Sequence, residues 1–254
     1  MEEVLFSIDA GVARVAINRP AKSNALSPEL MKELHRILRT AGDDTAVRVI
    51  TITGTGDKVF CAGMDLKAFA AGREIQADGR SKFRQLLMEI VQCPKPIITL
   101  VRGHVMGGGL GIVLASDLSL ACSDVQFSTP EIHVGLFPMM VLGLLYRNVG
   151  RKKATEMMFL GERITAAQAK EFGIINHTYS REDFEAASSE FVRKLASKSP
   201  AILQMGKEVI SRVLDEKLAG EEKLLETALA EVMATEDSEE GIRAFLEKRQ
   251  FKWD

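Results

Sequence analysis

The 254-residue chain is 46% hydrophobic and 27% charged, a balance that supports a buried core and excludes fibrous and disordered classes. With Lys+Arg 33 against Asp+Glu 35, the net charge of −2 gives no general electrostatic footprint for nucleic acid or anionic lipid. Cys61, Cys93 and Cys122 are odd in number and lack C-x-x-C spacing, against a disulfide framework or structural zinc.

Acids replace the bases a signal peptide needs in Met1 to Phe6, and no apolar run approaches the roughly 20 residues that span a bilayer. The expectation is a cytoplasmic protein in a reducing compartment.

Val4 to Ile8 and Val12 to Ile17 flank Asp9-Ala10-Gly11 and predict a hairpin. Ser27 is placed to cap a helix that opens on Pro28 and carries Leu30, Leu34, Ile37 and Leu38 on one face. Val47 to Thr53 reads as a buried strand, and Phe83 to Val91 as a helix ending near Pro94 and Pro96. Ile97 to Val101 is the next strand, a glycine cluster opens a further helix, and Leu118 to Ala121 returns as a strand. Strands alternating with helices predict parallel crossovers in a layered α/β core.

Beyond Arg147 helical patterns dominate, with only Ile174 to Tyr179 strand-like. Thr165 and Gln168 form a capping box, and Gly173 is placed to end that helix. Helices are expected over 181–196, 200–217, 221–235 and 238–249, with Ser199-Pro200 and Ser238 as boundaries. Such a helical region can cover an active face or pack against another subunit.

Gly107-Gly108-Gly109-Leu110-Gly111 puts unhindered backbone N–H groups at a helix N-terminus, which favours an anion or a transient oxyanion; close packing explains glycines equally well. It is not a dinucleotide pattern, since Ile112 stands where its last glycine belongs, and the chain has no nucleotide-binding P-loop. Phe60 to Leu66 is a second candidate donor loop, or an ordinary loop in which Asp65 caps a helix. Glu131 enters an apolar segment, Ile132 to Pro138, where desolvation would raise its pKa and suit it to proton transfer; a first-turn helix carboxylate is the alternative. His35, His104, His133 and His177 show no H-E-x-x-H spacing, and no G-x-S-x-G elbow occurs. Cys61 reads as a small packing residue.

Together, Asn18-Arg19-Pro20 with Asn24-Ala25-Leu26, Phe60 to Leu66, Gly107-Gly108-Gly109 with Asp117, and Pro130-Glu131 through Gly135 resemble the crotonase family, also called the enoyl-CoA hydratase/isomerase family. The resemblance covers essentially the whole chain. It implies a crotonase-like α/β fold of repeated ββα units in one domain over 1–254, with a core to about residue 195 and a helical trimerisation region from about 196. It also implies a homotrimer or a hexamer of two trimers, an acyl-CoA thioester as substrate, and no cofactor beyond that CoA. No metal, nucleic acid or membrane is expected.

By matching position, the resemblance assigns the backbone N–H groups of Met64 and Gly108 to the thioester oxygen. It places Ala62, Asp65, Leu66 and Lys67 on the CoA side and makes Glu131 the proton carrier. Family hydratases carry a second glutamate where this chain has Gly111, so the expectation is double-bond isomerisation with Glu131 alone. Two alternatives stand beside it: hydration, with a water in the space left by Gly111 positioned by Glu74 or Asp78 of the 70–82 segment, or a weakened acyl-CoA-binding protein. Phe137, Met139 and Met140 suggest an apolar acyl group.

Overall fold

The computed structural model describes residues 2–69 and 73–250. Strands β1 (Val4–Asp9) and β2 (Val12–Ile17) form the expected antiparallel hairpin. Its two-residue turn has φ +49° at Ala10 and +78° at Gly11, the left-handed pair that suits the twist of a tight hairpin. β2 then pairs in parallel with β3 (Val49–Gly54). Ser27 Oγ accepts from the Leu30 N–H at 3.3 Å and starts α1 (Pro28–Asp43), whose Leu30, Leu34, Ile37 and Leu38 are all buried.

The chain next alternates between two sheets. Strand β3 is followed by β4 (Val59–Cys61), α2 (Leu66–Phe69) and α3 (Arg73–Gln92), and β5 (Ile97–Val101) by β6 (His104–Met106) and α4 (Gly108–Ala115). β7 (Leu118–Cys122) leads to β8 (Gln126–Ser128) and a 3-10 turn, Pro130–Val134. Each unit thus gives one strand to each sheet before its helical element, which is the repeated ββα pattern. The remaining elements are α5 (Met139–Asn148), α6 (Arg151–Leu160), β9 (Ile164–Thr165), α7 (Ala166–Glu171), β10 (His177–Tyr179), α8 (Phe184–Ala196), α9 (Pro200–Met233) and α10 (Glu236–Glu247). The large sheet runs β1-β2-β3-β5-β7-β10, parallel from β2 onward, and the small one runs β4-β6-β8-β9.

Several boundaries differ from the sequence-based expectation. α3 begins ten residues before Phe83, and 200–217 and 221–235 are one continuous helix, α9. A lone glycine at 220 costs a helix only about 1 kcal/mol and does not stop it. The cap of α10 is Thr235, whose Oγ1 accepts from the Ser238 N–H at 3.2 Å, so Ser238 lies inside the first turn. The Thr165–Gln168 capping box and the left-handed Gly173 (φ +86°) are where the spacing placed them.

α9 is tied to the sheet by one buried cation. Lys207 Nζ donates to Asp117 Oδ2 at 2.6 Å, to Lys95 O at 3.0 Å and to Ile90 O at 3.3 Å, and the same Asp117 oxygen accepts from the Ile97 N–H at 2.7 Å. Start of β5, end of α3 and α9 are thereby fixed together. Among the described residues no helix is long and apolar enough to cross a membrane.

Candidate active site

The loop after β4 is clamped from the N-terminal segment. Ala62 N–H donates to Ser23 O, Leu26 N–H to Gly63 O and Asp65 N–H to Leu26 O, so Met64 sits in a parallel bridge with Leu26. Donors on both sides of Met64 are engaged, while its own N–H has no acceptor among the described residues. Arg19 fastens this arrangement from behind. Its side chain is only 6% exposed, pairing with Asp65 Oδ2 at 3.2 Å and Glu3 Oε1 at 2.9 Å and donating to Ala25 O. Asn24, at φ +53°, accepts from the Arg19 N–H and donates to Thr55 O and Val59 O. The Asn-Arg-Pro and Asn-Ala-Leu segments are therefore the scaffold of one backbone donor.

Opposite stands the glycine triplet. Gly107 (φ +52°, ψ −124°) is the N-cap of α4; its N–H donates to Ser128 O and its carbonyl accepts from Leu110. Gly108, the first helical residue, has no acceptor within the helix for its N–H. Contact explains the other glycines: a Cβ on Gly109 would fall 2.4 Å from Cys61 O, and one on Gly63 2.8 Å from the Gly108 nitrogen. The two loops abut with their free donors unshielded by side chains.

Glu131 completes the group. It lies in the first turn of the Pro130–Val134 3-10 helix, and its Oε1 stands 3.0 Å from where a Cβ on Gly107 would be. The residue is half-buried overall, but its Oε2 is sealed from solvent and has no hydrogen-bond partner. Burial pushes its pKa up to about 7, partly opposed by its own backbone N–H.

These groups face a cavity of about 450 Å³. Phe83, Phe137, Met139, Met140 and Val141 form much of its apolar wall, and α9 and α10 close it with Leu229, Met233, Ile242 and Phe245. Among the described residues lining it, Glu131 and His133 are the only ones with titratable side chains. The C-terminal helices thus cover the site of their own chain.

Of the residues singled out from sequence, Ala62, Met64, Leu66, Gly108 and Glu131 line this one cavity. Asp65 is turned away onto Arg19, while its Oδ1 accepts from Ala68 N–H at the start of α2; Lys67 is exposed. The space expected beside Gly111 is filled: a Cβ there would meet Val141 Cγ1 at 2.8 Å, Phe83 Cζ at 3.1 Å and Leu87 Cδ2 at 3.4 Å. Asp78 pairs with Lys82 at 2.6 Å on the exposed side of α3, and the Glu74 side chain lies outside the described residues. Cys61 is buried, its thiol pushed up to about 12 by desolvation. No cluster of three potential metal ligands occurs among the described residues.

Sequence reasoning missed Phe83, Leu229, Met233, Ile242 and Phe245 as cavity residues. Their apolar spacing on helices was visible, but which surface that face meets is a long-range property.

A family model described as enoyl-CoA hydratase/isomerase matches residues 7–254. The mitochondrial enoyl-CoA hydratase of Pongo abelii is 35% identical over 240 residues, covering 94% of this chain and 82% of its own. A solved enoyl-CoA hydratase from Mycobacterium avium superposes with a TM-score of 0.89 at 30% identity, covering 100% of both chains. A methylmalonyl-CoA decarboxylase solved in complex with 2-nitronate-propionyl-CoA also reaches 0.89, at 29% identity, covering 100% of this chain and 98% of its own.

Proposed function

The chain belongs to the enoyl-CoA hydratase/isomerase family, and from that membership we propose that it moves the double bond of a β,γ-enoyl-CoA into conjugation, with Glu131 as the single proton carrier. The observation that carries this reading is that, among the described residues, Glu131 is the only carboxyl lining the cavity, while Val141, Phe83 and Leu87 occupy the place beside Gly111.

In the proposed reaction the Glu131 carboxylate removes a proton from the α-carbon, and the released electron pair moves onto the thioester oxygen. The N–H groups of Met64 and Gly108 hold that oxygen as it gains charge, each such donor being worth roughly 3–4 kcal/mol in related acyl chemistry. Protonated Glu131 then returns its proton to the γ-carbon, the electron pair closes the α,β double bond, and the carboxylate is regenerated. A pKa near 7 suits both directions of transfer, because neither protonation state is strongly favoured. The similar decarboxylase binds 2-nitronate-propionyl-CoA, an acyl-CoA with an anionic group at its α-carbon, and the same class of ligand suits this cavity.

The filled space at Gly111 weighs against hydration, and a desolvated, unpartnered Glu131 weighs against a purely binding role. No group beyond the substrate's own CoA is required. We further propose a cytoplasmic homotrimer or hexamer, for which the exposed Ile202, Met205, Val209 and Ile210 on α9 offer an apolar face.

The test uses matched α,β- and β,γ-enoyl-CoA thioesters, following conjugation by absorbance and water addition by product mass. Conjugation of the β,γ-substrate without added water is expected. Rapid hydration of the α,β-substrate would overturn the isomerase reading.

A further inference from the structure

Arg80 presents an unmatched charge beside the cavity. It sits on α3 one turn before the cavity residue Phe83 and is about nine-tenths buried, its residual exposure being 9%. Its Nε is buried and donates to nothing among the described residues. Its Nη1 reaches only the Met233 Sδ, at 3.8 Å, a weak acceptor that itself lines the cavity. On the facing stretch of α9, Glu226 is taken by Arg84 at 3.6 Å and Glu231 is exposed. Among the described residues no carboxylate pairs with Arg80.

A guanidinium cannot shed its proton in a protein, so it keeps its charge when buried, and a buried charge without a partner is strongly unfavourable. The stabilising complement is an anion. The planar fork of donors matches a carboxylate, which it can bind through two parallel hydrogen bonds. A phosphate dianion would carry more charge into a wall that is otherwise apolar, at a greater desolvation cost. Met233, a flexible thioether on three rotatable bonds, lies between the guanidinium and the cavity and can turn aside at the cost of only that one weak sulfur contact.

We propose that Arg80 binds a carboxylate at the far end of the acyl group, so that the preferred ligands are CoA thioesters of dicarboxylic acids: an apolar acyl body with an anionic tip. This refines the apolar acyl group suggested by Phe137, Met139 and Met140. It rests on the reading of the cavity as an acyl-CoA site and is independent of which reaction occurs there.

The test is therefore made on binding. Butanoyl-, hexanoyl- and octanoyl-CoA are titrated calorimetrically against succinyl-, adipoyl- and suberoyl-CoA, using the full-length wild type and the Arg80→Met and Arg80→Lys variants. At least one dicarboxylic thioester is expected to bind about tenfold or more tightly than its monocarboxylic match. Arg80→Met should abolish or reverse that preference and Arg80→Lys should keep part of it. The unliganded Arg80→Met protein should melt no lower than wild type, because it loses an uncompensated charge.

Equal affinity within every pair, or a preference that survives Arg80→Met, overturns the assignment of Arg80 while leaving the acyl-CoA site intact. A marked fall in melting temperature of Arg80→Met also overturns it, since the charge would then have a structural partner. Failure of all six thioesters to bind removes the acyl-CoA reading itself, and the proposal with it.

Discussion

Glu131 Oε1 stands 3.0 Å from the point where a side chain on Gly107 would begin, so the residue that frees the Gly108 donor also makes room for the acid. One glycine serves both halves of the site, and any side chain at 107 would displace the carboxyl and strain a backbone held at φ +52°.

Glu131→Gln should lower turnover by about a hundredfold to ten-thousandfold with little change in affinity for a saturated acyl-CoA. In the wild type, kcat/KM should rise with pH and level off above about 7, as the carboxylate form becomes the majority. Stability moves the opposite way. Between an ordinary carboxyl value of 4.5 and the folded value of about 7, the native state holds a proton that the unfolded chain has released, so stability falls as pH rises through that window. Glu131→Gln removes the slope and should be more stable at alkaline pH by up to about 3 kcal/mol, measured by urea titration on either side of the window.

Gly111→Ala should destabilise the fold by about 1–3 kcal/mol, because its methyl meets Val141 Cγ1 at 2.8 Å and Phe83 Cζ at 3.1 Å. Paired with Val141→Ala, the loss should be smaller than the sum of the two single losses by about 1 kcal/mol. Strict additivity in chemical denaturation would show that the two positions do not touch.

Arg19→Met should reduce kcat about tenfold to a hundredfold while leaving binding of a saturated thioester nearly unchanged. The change touches no ligand; it releases Asp65 and the Ala25 carbonyl and so lets the Met64 N–H drift. An equal loss in kcat and in ground-state affinity would point to general disruption of the loop instead.

Lys207→Met leaves Asp117 with its Ile97 partner alone and removes the hydrogen bonds that the Lys95 and Ile90 carbonyls accept. The Asp117 side chain keeps 30% exposure, which places the expected loss at the lower end of the about 3–5 kcal/mol typical for breaking a buried pair. Thermal melts of the single variant and of Lys207→Met with Asp117→Asn should show the double variant recovering part of it.

Local signals were readable wherever a few neighbouring residues decide the outcome: the turn at Ala10-Gly11, the Ser27 cap, the Thr165 capping box, the Gly173 stop. The second sheet was not, because β4, β6 and β8 are three residues each, too short for an alternation to register. Met64, Gly108 and Glu131, which line one cavity, sit in distinctive local patterns that single them out in the sequence. Phe83 and the α9 and α10 residues were not, since an apolar helical stripe does not say which surface it meets. Gly111 was noticed for what it lacks; that Val141 occupies the gap depends on how α4 and α5 pack. Arg80 gave no sequence signal, because an arginine in a charged helical stretch reads as solvated.

The cavity takes the wall that carries Met64, Gly108 and Glu131 from residues 62–141 and its remaining wall from Leu229, Met233, Ile242 and Phe245, far later in the chain. During synthesis, the loops that carry Met64 and Gly108 and the turn that carries Glu131 leave the ribosome long before that wall exists. A nascent chain can therefore assemble its sheets while the site stays open to water and to other exposed apolar segments. The cavity gains that wall only when α9 and α10 have been released and docked.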